Sequence, residues 1–182
     1  MGRVENVKEK LHFLVYDSFG WEKQFGVKIS GQGNIIRFFV DTQGKTKLET
    51  NLQQSGVLPS TNIFEARALR VVSSDKVEAE GLEELIYNSV TSLFVGEKVM
   101  FEAPTFWFPS GAGVSSAPNN HGDPDPMATF KFAEPVVIAP NQNFRVEMLF
   151  PHGQNADSPL DADVGKARIW VVLDGYLTRD VQ

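Results

Sequence analysis

The sequence contains no cysteine and few of the residue patterns that catalytic or metal-binding sites require. Without cysteine the protein has no disulfide, no thiol nucleophile and no thiolate metal ligand. Its three histidines, His12, His121 and His152, stand far apart, so neither a His-x-His nor a His-Glu-x-x-His metal motif is present. The glycine pattern of a dinucleotide-binding loop and the Gly-x-Ser-x-Gly pattern of a hydrolase are also missing. We therefore predict that the protein is not an enzyme and that it binds no cofactor and no metal.

Positive charge and long apolar runs are scarce as well. The 17 Lys and Arg residues are outnumbered by 23 Asp and Glu residues, which gives a formal net charge of −6. Nucleic-acid recognition needs a basic surface, so we predict no nucleic-acid sequence recognition. The longest purely apolar run is 169–173, far short of the ~20 residues of a membrane-spanning helix. Residues 1–5 are charged and lack an apolar segment, so we expect no secretory signal peptide.

Acidic segments keep two chemical roles open as alternatives. Asp123 and Asp125 lie in one stretch rich in Pro and Gly, and 157–163 holds three more aspartates that could bind a hard cation. Neither stretch has the spacing of an EF-hand loop. Four glutamates near predicted strands could supply the carboxyl pair of a glycoside hydrolase: Glu97, Glu102, Glu134 and Glu147. Solvated loops and solvated sheet faces are the simpler interpretations of these residues.

Phenylalanine dominates the aromatic residues, with 14 Phe against 3 Trp and 3 Tyr. A set this rich in Phe favours a packed apolar interior over a surface that stacks on sugars or bases. The length of 182 residues, with 42% hydrophobic and 22% charged residues, is typical of one globular domain. We therefore expect most phenylalanines to fill a core or an interface.

Alternation of apolar and polar residues predicts about eight short strands. The segments that carry it are 25–29, 34–40, 62–74, 93–102 (with a turn or bulge at Gly96), 128–132, 136–138, 143–150 and 167–177. Two-residue hairpins are scarce and the connections 109–127 and 151–166 are long, which is typical of Greek-key crossovers between sheets. The predicted fold class is all-β, a jelly-roll sandwich of about eight strands with one inserted short helix. An immunoglobulin-like sandwich is the alternative.

One internal segment breaks the β pattern. Within 78–92, Leu82, Leu85, Ile86 and Val90 fall at helical spacing, and glutamates fill the early turns, where the helix dipole favours them. We predict a helix over 78–92.

The first twenty residues suit two interpretations. Val4, Val7, Leu11 and Leu14 recur as in a short amphipathic helix, whereas 11–16 alternates as in a strand. We predict an N-terminal arm over residues 1–20, followed by a single domain over 21–182. On this interpretation, deletion of residues 1–16 would weaken assembly and leave the domain folded.

The second half of the chain resembles a known family. Residues 136–147 follow a pattern of strand, Pro-Asn turn and strand, and a long last strand over 167–177 comes after them. With its size, its Phe-rich composition and its lone helix, the chain resembles, over residues 25–180, the small single-jelly-roll major capsid protein of tailless, membrane-containing icosahedral phages of the Thermus type. The resemblance implies a barrel upright in the shell, which multimerises with itself and with a second, larger capsid protein over an internal lipid membrane. It transfers no functional residue.

We therefore predict a structural capsid subunit, made in the host cytoplasm and located in the virion as a homo-oligomer. The residues predicted at its interfaces are Val4, Val7, Leu11, Leu14, Leu82, Leu85, Phe106, Trp107 and Phe108. The alternative is a carbohydrate- or receptor-binding jelly-roll module, like a lectin or a spike head, in which Trp21 or Trp107 would contact the ligand. A cupin-like or glycosidase enzyme is a third possibility.

Overall fold

Eight strands make up most of the described chain. The computed structural model describes residues 7–21, 34–73, 85–108, 129–151 and 167–181. The strands are β1 (Lys8–Trp21), β2 (Asn34–Phe38), β3 (Ile63–Ser73), β4 (Val90–Val95), β5 (Lys98–Pro104), β6 (Lys131–Ile138), β7 (Phe144–Phe150) and β8 (Ala167–Asp180). They form two four-stranded antiparallel sheets, sheet A in the order β1-β8-β3-β6 and sheet B in the order β2-β7-β4-β5. The predicted all-β sandwich of about eight strands is confirmed.

The strand pairs are nested along the chain. The first strand pairs with the last, β2 pairs with β7, β3 with β6 and β4 with β5. Two further pairings, β3 with β8 and β4 with β7, join these pairs into the two sheets. Every consecutive pair of strands except β4 and β5 crosses from one sheet to the other. The predicted turn at Gly96 joins β4 to β5, where Gly96 has a φ of 61° that glycine adopts without strain.

The core lies between the two sheets and is built by alternation along the strands. In β7 the residues Phe144, Val146, Met148 and Phe150 are buried, and the residues between them are half-buried on the outer face. Phenylalanines on other strands complete this interior, among them Phe38 and Phe64. Burial of each such side chain contributes on the order of 2–3 kcal/mol. The expectation that phenylalanine fills the core is confirmed for these positions.

The register of both sheets places four connections at one end of the sandwich. The strand termini that pair there are Trp21 with Ala167 and Ser73 with Ile169 in sheet A, and Asn34 with Phe150 and Val90 with Pro104 in sheet B. The connections 22–33, 74–89, 105–130 and 151–166 therefore all start and finish at this end, which we call the loop-rich end. The Val71 backbone N–H donates to the Phe108 carbonyl at 3.2 Å and ties the two sheets together there.

A segment of the β2–β3 connection covers part of the free edge of β1. Residues 45–52, which we call the strap, place Asn51 beside β1 like a residue of a neighbouring strand. The Tyr16 N–H donates to Asn51 Oδ1 at 3.0 Å, and Asn51 Nδ2 donates to the Leu14 carbonyl at 2.6 Å. The Trp170 indole donates to the Leu48 carbonyl at 2.9 Å. The strap therefore satisfies backbone groups that an open strand edge would leave free for another chain.

A buried charge anchors the start of the strap. Asp17 is fully buried and accepts hydrogen bonds from the Phe39 N–H at 2.6 Å and from Lys45 Nζ at 2.8 Å. Lys45 also donates to the Ser18 carbonyl at 2.8 Å. The carboxylate is tolerated in the interior because both of its oxygens have partners, one of them a cation.

Other sheet edges carry features that oppose strand addition. In β5 the register slips by one residue, which leaves Met100 as a bulge, and β6 contains Pro135, which has no N–H to donate. Bulges and prolines are common on edge strands because they discourage pairing with another chain. The described helical segments are short, and none has the length and apolar character needed to cross a membrane.

The predicted helix over 78–92 extends too far. Of its described part only 85–87 is helical, and β4 begins at Val90. Ser89 and Thr91 explain why the helix ends before β4. Both hydroxyls are buried and hydrogen bond to Thr105 Oγ1 at 2.6 and 2.8 Å. These bonds favour an extended chain beside β5. Residues 78–84 lie outside the described part, as does the predicted strand 25–29.

The N-terminal arm also needs correction. Residues 8–21 form β1, which pairs with β8 along its whole length, so the strand interpretation is right there and the helix interpretation is wrong. Val15 and Asp17 are buried in the sandwich. From Lys8 onward the predicted arm is therefore part of the domain. Residues 1–6 lie outside the described part.

Candidate interaction surfaces

The residues predicted at interfaces divide into exposed and buried groups. Phe106 and Trp107 are exposed, as are Val7, directly before β1, and Leu14 on β1, while Leu11 is half-buried. Val4 and Leu82 lie outside the described residues.

Two of these predictions are wrong in this structure, because Leu85 and Phe108 are buried in the protein's own core. Phe108 packs edge-on against Phe101 and Phe130, with ring centroids 5.6 and 5.4 Å away. Neither side chain is available to a partner.

Seven aromatic rings form a continuous cluster at the loop-rich end. Its inner members are Phe101, Phe108, Phe130 and Phe132, which lie between β5 and β6 with ring centroids 5.1–5.8 Å apart. Its outer members are Tyr87, Phe106 and Trp107, which we call the aromatic patch. Trp107 connects the two groups through an edge-on contact with Phe130 at 6.4 Å.

Local structure positions the aromatic patch. After Pro104 the chain makes a 3₁₀ turn over Thr105–Trp107, and the Thr105 N–H donates to the Ser89 carbonyl at 3.0 Å. This bond holds the turn beside residues 85–89, so that Tyr87 and Phe106 lie with ring centroids 5.8 Å apart. The buried Thr105 hydroxyl fixes the same junction.

Tyr87 is a surface residue that the sequence analysis missed. Tyr87 lies off the apolar stripe of the predicted helix, on the face that such a helix would expose to solvent. An aromatic residue on a face of otherwise polar residues was the signal that could have identified it.

Exposed apolar side chains also lie along both long sides of the sandwich. One side is formed by β1, β2 and the connection after β2, and its exposed apolar residues are Val7, Leu14, Ile35, Val40 and Leu48. We call it the first lateral surface. The other side is formed by the edge strands β5 and β6 and carries Val99, Met100 and Val137. We call it the second lateral surface.

The outer face of sheet A carries a charged network around Tyr176. Glu65 accepts hydrogen bonds from Lys10 at 2.9 Å and Arg67 at 3.4 Å, and both cations lie about 5 Å from the centre of the Tyr176 ring (5.2 and 5.1 Å). Cations at such distances are attracted to the ring face. All members of this network are partnered by one another, which is typical of a structural ion-pair cluster.

His12 lies beside this network and forms a carboxylate pair that resembles part of a catalytic triad. Its Nε2 lies 2.6 Å from Asp174 Oδ1, and Arg70 binds the other oxygen of the same carboxylate. In the described part of the chain, His12 hydrogen bonds to Asp174 and to no hydroxyl group, so the pair has no nucleophile. His121 and His152 lie outside the described residues.

The glutamates considered as a glycosidase pair are only partly brought together. Glu102 on β5 and Glu147 on β7 are both opposite Ser92 on β4, while Glu97 and Glu134 are exposed elsewhere. Glu102 accepts a hydrogen bond from the Ser92 hydroxyl at 2.9 Å. Burial raises the pKa of Glu147, but Arg145 and Arg37 outweigh burial and hold that pKa below its usual value.

Among the described residues, no three His, Asp or Glu side chains lie close enough together to bind a metal ion. The aspartates at 123, 125 and 157–163 fall outside the described part of the chain.

Acid is expected to destabilise the protein through three paired carboxylates. A backbone hydrogen bond from Thr46 lowers the pKa of Glu49, and the hydrogen bond from Lys10 lowers the pKa of Glu65. Together with Glu147, these groups bind protons more tightly in the unfolded chain than in the folded one. Their stabilisation is therefore complete above pH 4.5, the ordinary value, and is lost as the pH falls below it through the lowered values.

Urea unfolding at a series of pH values from 7 down through 4.5 measures this loss. Glu65→Gln should flatten the acid side of the stability curve, because it removes one of the three groups. Glu134→Gln is the matched control, since Glu134 is exposed and lies on an edge strand. Equal acid sensitivity of the wild-type protein and Glu65→Gln would contradict the prediction.

Comparison with known proteins adds no relative to this picture. No protein-family model matches the chain, and no curated protein sequence matches it either. The geometry of the described residues is therefore the basis for what can be proposed of its function.

Proposed function

We propose that the protein is a structural subunit of an icosahedral viral capsid and that its sandwich is a jelly roll. The nested pairing of β1 with β8, β2 with β7, β3 with β6 and β4 with β5 supports the jelly roll. In that fold one long antiparallel ribbon wraps into two facing sheets through two Greek keys. Viral capsid proteins use this fold, but so do lectins and cupins, so the fold alone does not decide the function.

The observation that carries the capsid proposal is the presence of exposed apolar side chains on both long sides of the sandwich. Ile35 is 42% exposed on the first lateral surface, and Val99 is 45% exposed on the second. The two surfaces differ in sequence, so contact between them is heterologous, with one side of a subunit against the opposite side of the next. Repeated heterologous contacts generate closed rings, as around the symmetry axes of a shell, or open filaments.

The way in which the edges are protected defines the kind of contact. The strap on β1, the bulge at Met100 and the proline at position 135 oppose hydrogen bonding between strands of neighbouring subunits. Subunits would therefore associate through side chains on the lateral surfaces and remain separate sandwiches. Such contacts can be remade during assembly without unfolding any strand.

The family resemblance extends the proposal to partners and location. The subunit would stand upright in the shell, beside copies of itself and of a second, larger capsid protein, with an internal viral membrane beneath it. It would be made in the host cytoplasm and function in the virion. The net charge of −6 supports a role without nucleic-acid sequence recognition.

Self-association of the purified full-length protein tests the proposal. Static light scattering across protein concentration, with electron microscopy of the same samples, should show oligomers that dissociate on dilution. Val99→Lys places a charge on the second lateral surface and should raise the dissociation constant by about tenfold or more, as loss of an interface residue worth ~1.4 kcal/mol does.

Ser60→Lys is the matched control, because it adds the same charge at an exposed position in the turn before β3, an interior strand of sheet A. The control should associate like the wild-type protein. A protein that stays monomeric at the highest concentrations and is missing from purified virions would refute the capsid role.

A further inference from the structure

The aromatic patch is an exposed surface that the assembly proposal does not require. Tyr87, Phe106 and Trp107 are 68%, 47% and 54% exposed, and they lie in a row at the loop-rich end. Successive ring centroids are 5.8 and 6.4 Å apart, and the ring planes are tilted from one another by only 36° and 30°. The planes of successive rings are therefore closer to parallel than to perpendicular.

The row of rings is held in place before any ligand arrives. Trp107 packs edge-on against Phe130, which itself contacts three buried or half-buried phenylalanines. The turn that carries Phe106 is fixed by the buried Thr105 hydroxyl and by the bond to the Ser89 carbonyl. A ligand that binds here loses little affinity to ordering of the protein, because the rings are preorganised.

The area of the patch argues against a protein partner. A large aromatic side chain presents about 150–250 Å². At the exposed fractions given above, the three rings together offer on the order of 250–420 Å². A stable protein interface needs about 800 Å² on each partner. The patch suits a ligand of a few rings better than a second copy of the chain.

The charge around the patch argues against a nucleic acid. Binding of single-stranded nucleic acid combines aromatic stacking with a positively charged groove. No Lys or Arg of the described residues stacks on the three rings. The segments 22–33, 74–84, 109–128 and 152–166, which belong to the four connections at this end, contain eleven acidic and four basic residues. These four connections therefore supply little of the positive charge that binding of phosphate groups requires.

We propose that the aromatic patch binds a neutral oligosaccharide. Pyranose rings with equatorial hydroxyls present C–H groups on both faces, and these apolar faces stack on the electron-rich faces of aromatic rings. Three preorganised rings in a row can contact successive sugar units of a β-linked glucan. Asn88 is exposed next to Tyr87 and can hydrogen bond to sugar hydroxyls. The acidic composition of these connections also disfavours a sulfated or sialylated chain.

Titration of the full-length protein with cellohexaose tests the proposal. Calorimetry and the Trp107 indole signal in NMR spectra measure the binding. Binding should be weakened at least tenfold by Trp107→Ala and by Tyr87→Ala, while Trp107→Phe keeps most of it. Tyr176→Ala is the matched control, because Tyr176 is partly exposed on sheet A away from the patch, and it should bind normally. A sulfated oligosaccharide of the same length should bind more weakly than cellohexaose.

The outcomes separate this proposal from the capsid role. Absence of binding at millimolar cellohexaose, or binding that Trp107→Ala leaves unchanged, overturns the saccharide site and leaves the capsid proposal intact. Dissociation of oligomers by Trp107→Ala would show that the patch is a subunit contact and would also overturn it. If Val99→Lys dissociates the protein and saccharide binding persists, both proposals are supported.

Discussion

Replacement of Gly175 by alanine should prevent the protein from folding. A Cβ atom at this position would lie 1.9 Å from the carbonyl oxygen of Glu65, far inside contact distance. The obstacle is the backbone of β3 at the point where its register with β8 slips, between Ala66 and Ala68, so no side chain can rotate away. Overpacking of a core costs about 1–3 kcal/mol when side chains can adjust, and a clash with backbone exceeds that range. Urea unfolding monitored by circular dichroism measures the loss.

Gly20→Ala is the matched control. It lies on β1 in the same sheet, and its added Cβ would come no closer than 3.6 Å to the flexible end of the Arg168 side chain. We expect a change in stability within about 1 kcal/mol, as for ordinary surface substitutions. A Gly175→Ala protein that unfolds at the same urea concentration as Gly20→Ala would show that the bulge of β3 can move.

Deletion of residues 1–16 should also abolish cooperative folding, in contrast to what the sequence analysis expects of an arm. The deletion removes the part of β1 from Lys8 to Tyr16, with all of its pairings to β8. It removes the buried Val15 and the backbone groups of Leu14 and Tyr16 that hold the strap. Loss of one buried valine alone costs on the order of 1.5–3 kcal/mol, and a domain has only about 5–15 kcal/mol in total.

The control is deletion of residues 2–6, which stops before β1 and keeps all of its pairs. That variant should retain a cooperative thermal transition and dispersed amide signals in NMR spectra, while the longer deletion should lose both. A folded protein lacking residues 1–16 would show that β1 is dispensable, and the arm interpretation would then stand.

Strands that alternate regularly were predictable from the sequence, whereas the pattern of β1 did not decide between a strand and an amphipathic helix. In β7 each inward residue is large and apolar, so the period of two is visible over 143–150. In β1 the inward position 17 is an aspartate. Its partner Lys45 lies 28 residues further along the chain, so local sequence cannot show that this carboxylate belongs inside. The strand order shares this limit, because the pairing of β1 with β8 joins the two ends of the chain.

Local sequence also limits which surface residues can be identified. Helical spacing at Leu85 and the aromatic run at Phe108 indicated an apolar environment, but neither pattern could tell the protein's own core from the surface of a partner. Phe106 and Trp107 were expected to be in contact with a neighbour, and they are exposed in the folded chain. Whether another subunit covers them depends on assembly, which no local pattern encodes.

The position of the last strand has a consequence for how the protein is made. In sheet A, β8 lies between β1 and β3, so until β8 arrives β1 has no strand partner and β3 can pair only with β6. The ribosome synthesises β8 after β1 to β7, by which time the hairpin of β4 and β5 has had time to form from residues close in sequence. Until then the nascent chain carries β1 as an unpaired strand of fourteen residues, a period in which it is vulnerable to aggregation. Sheet A can therefore be completed only once β8 has left the ribosome.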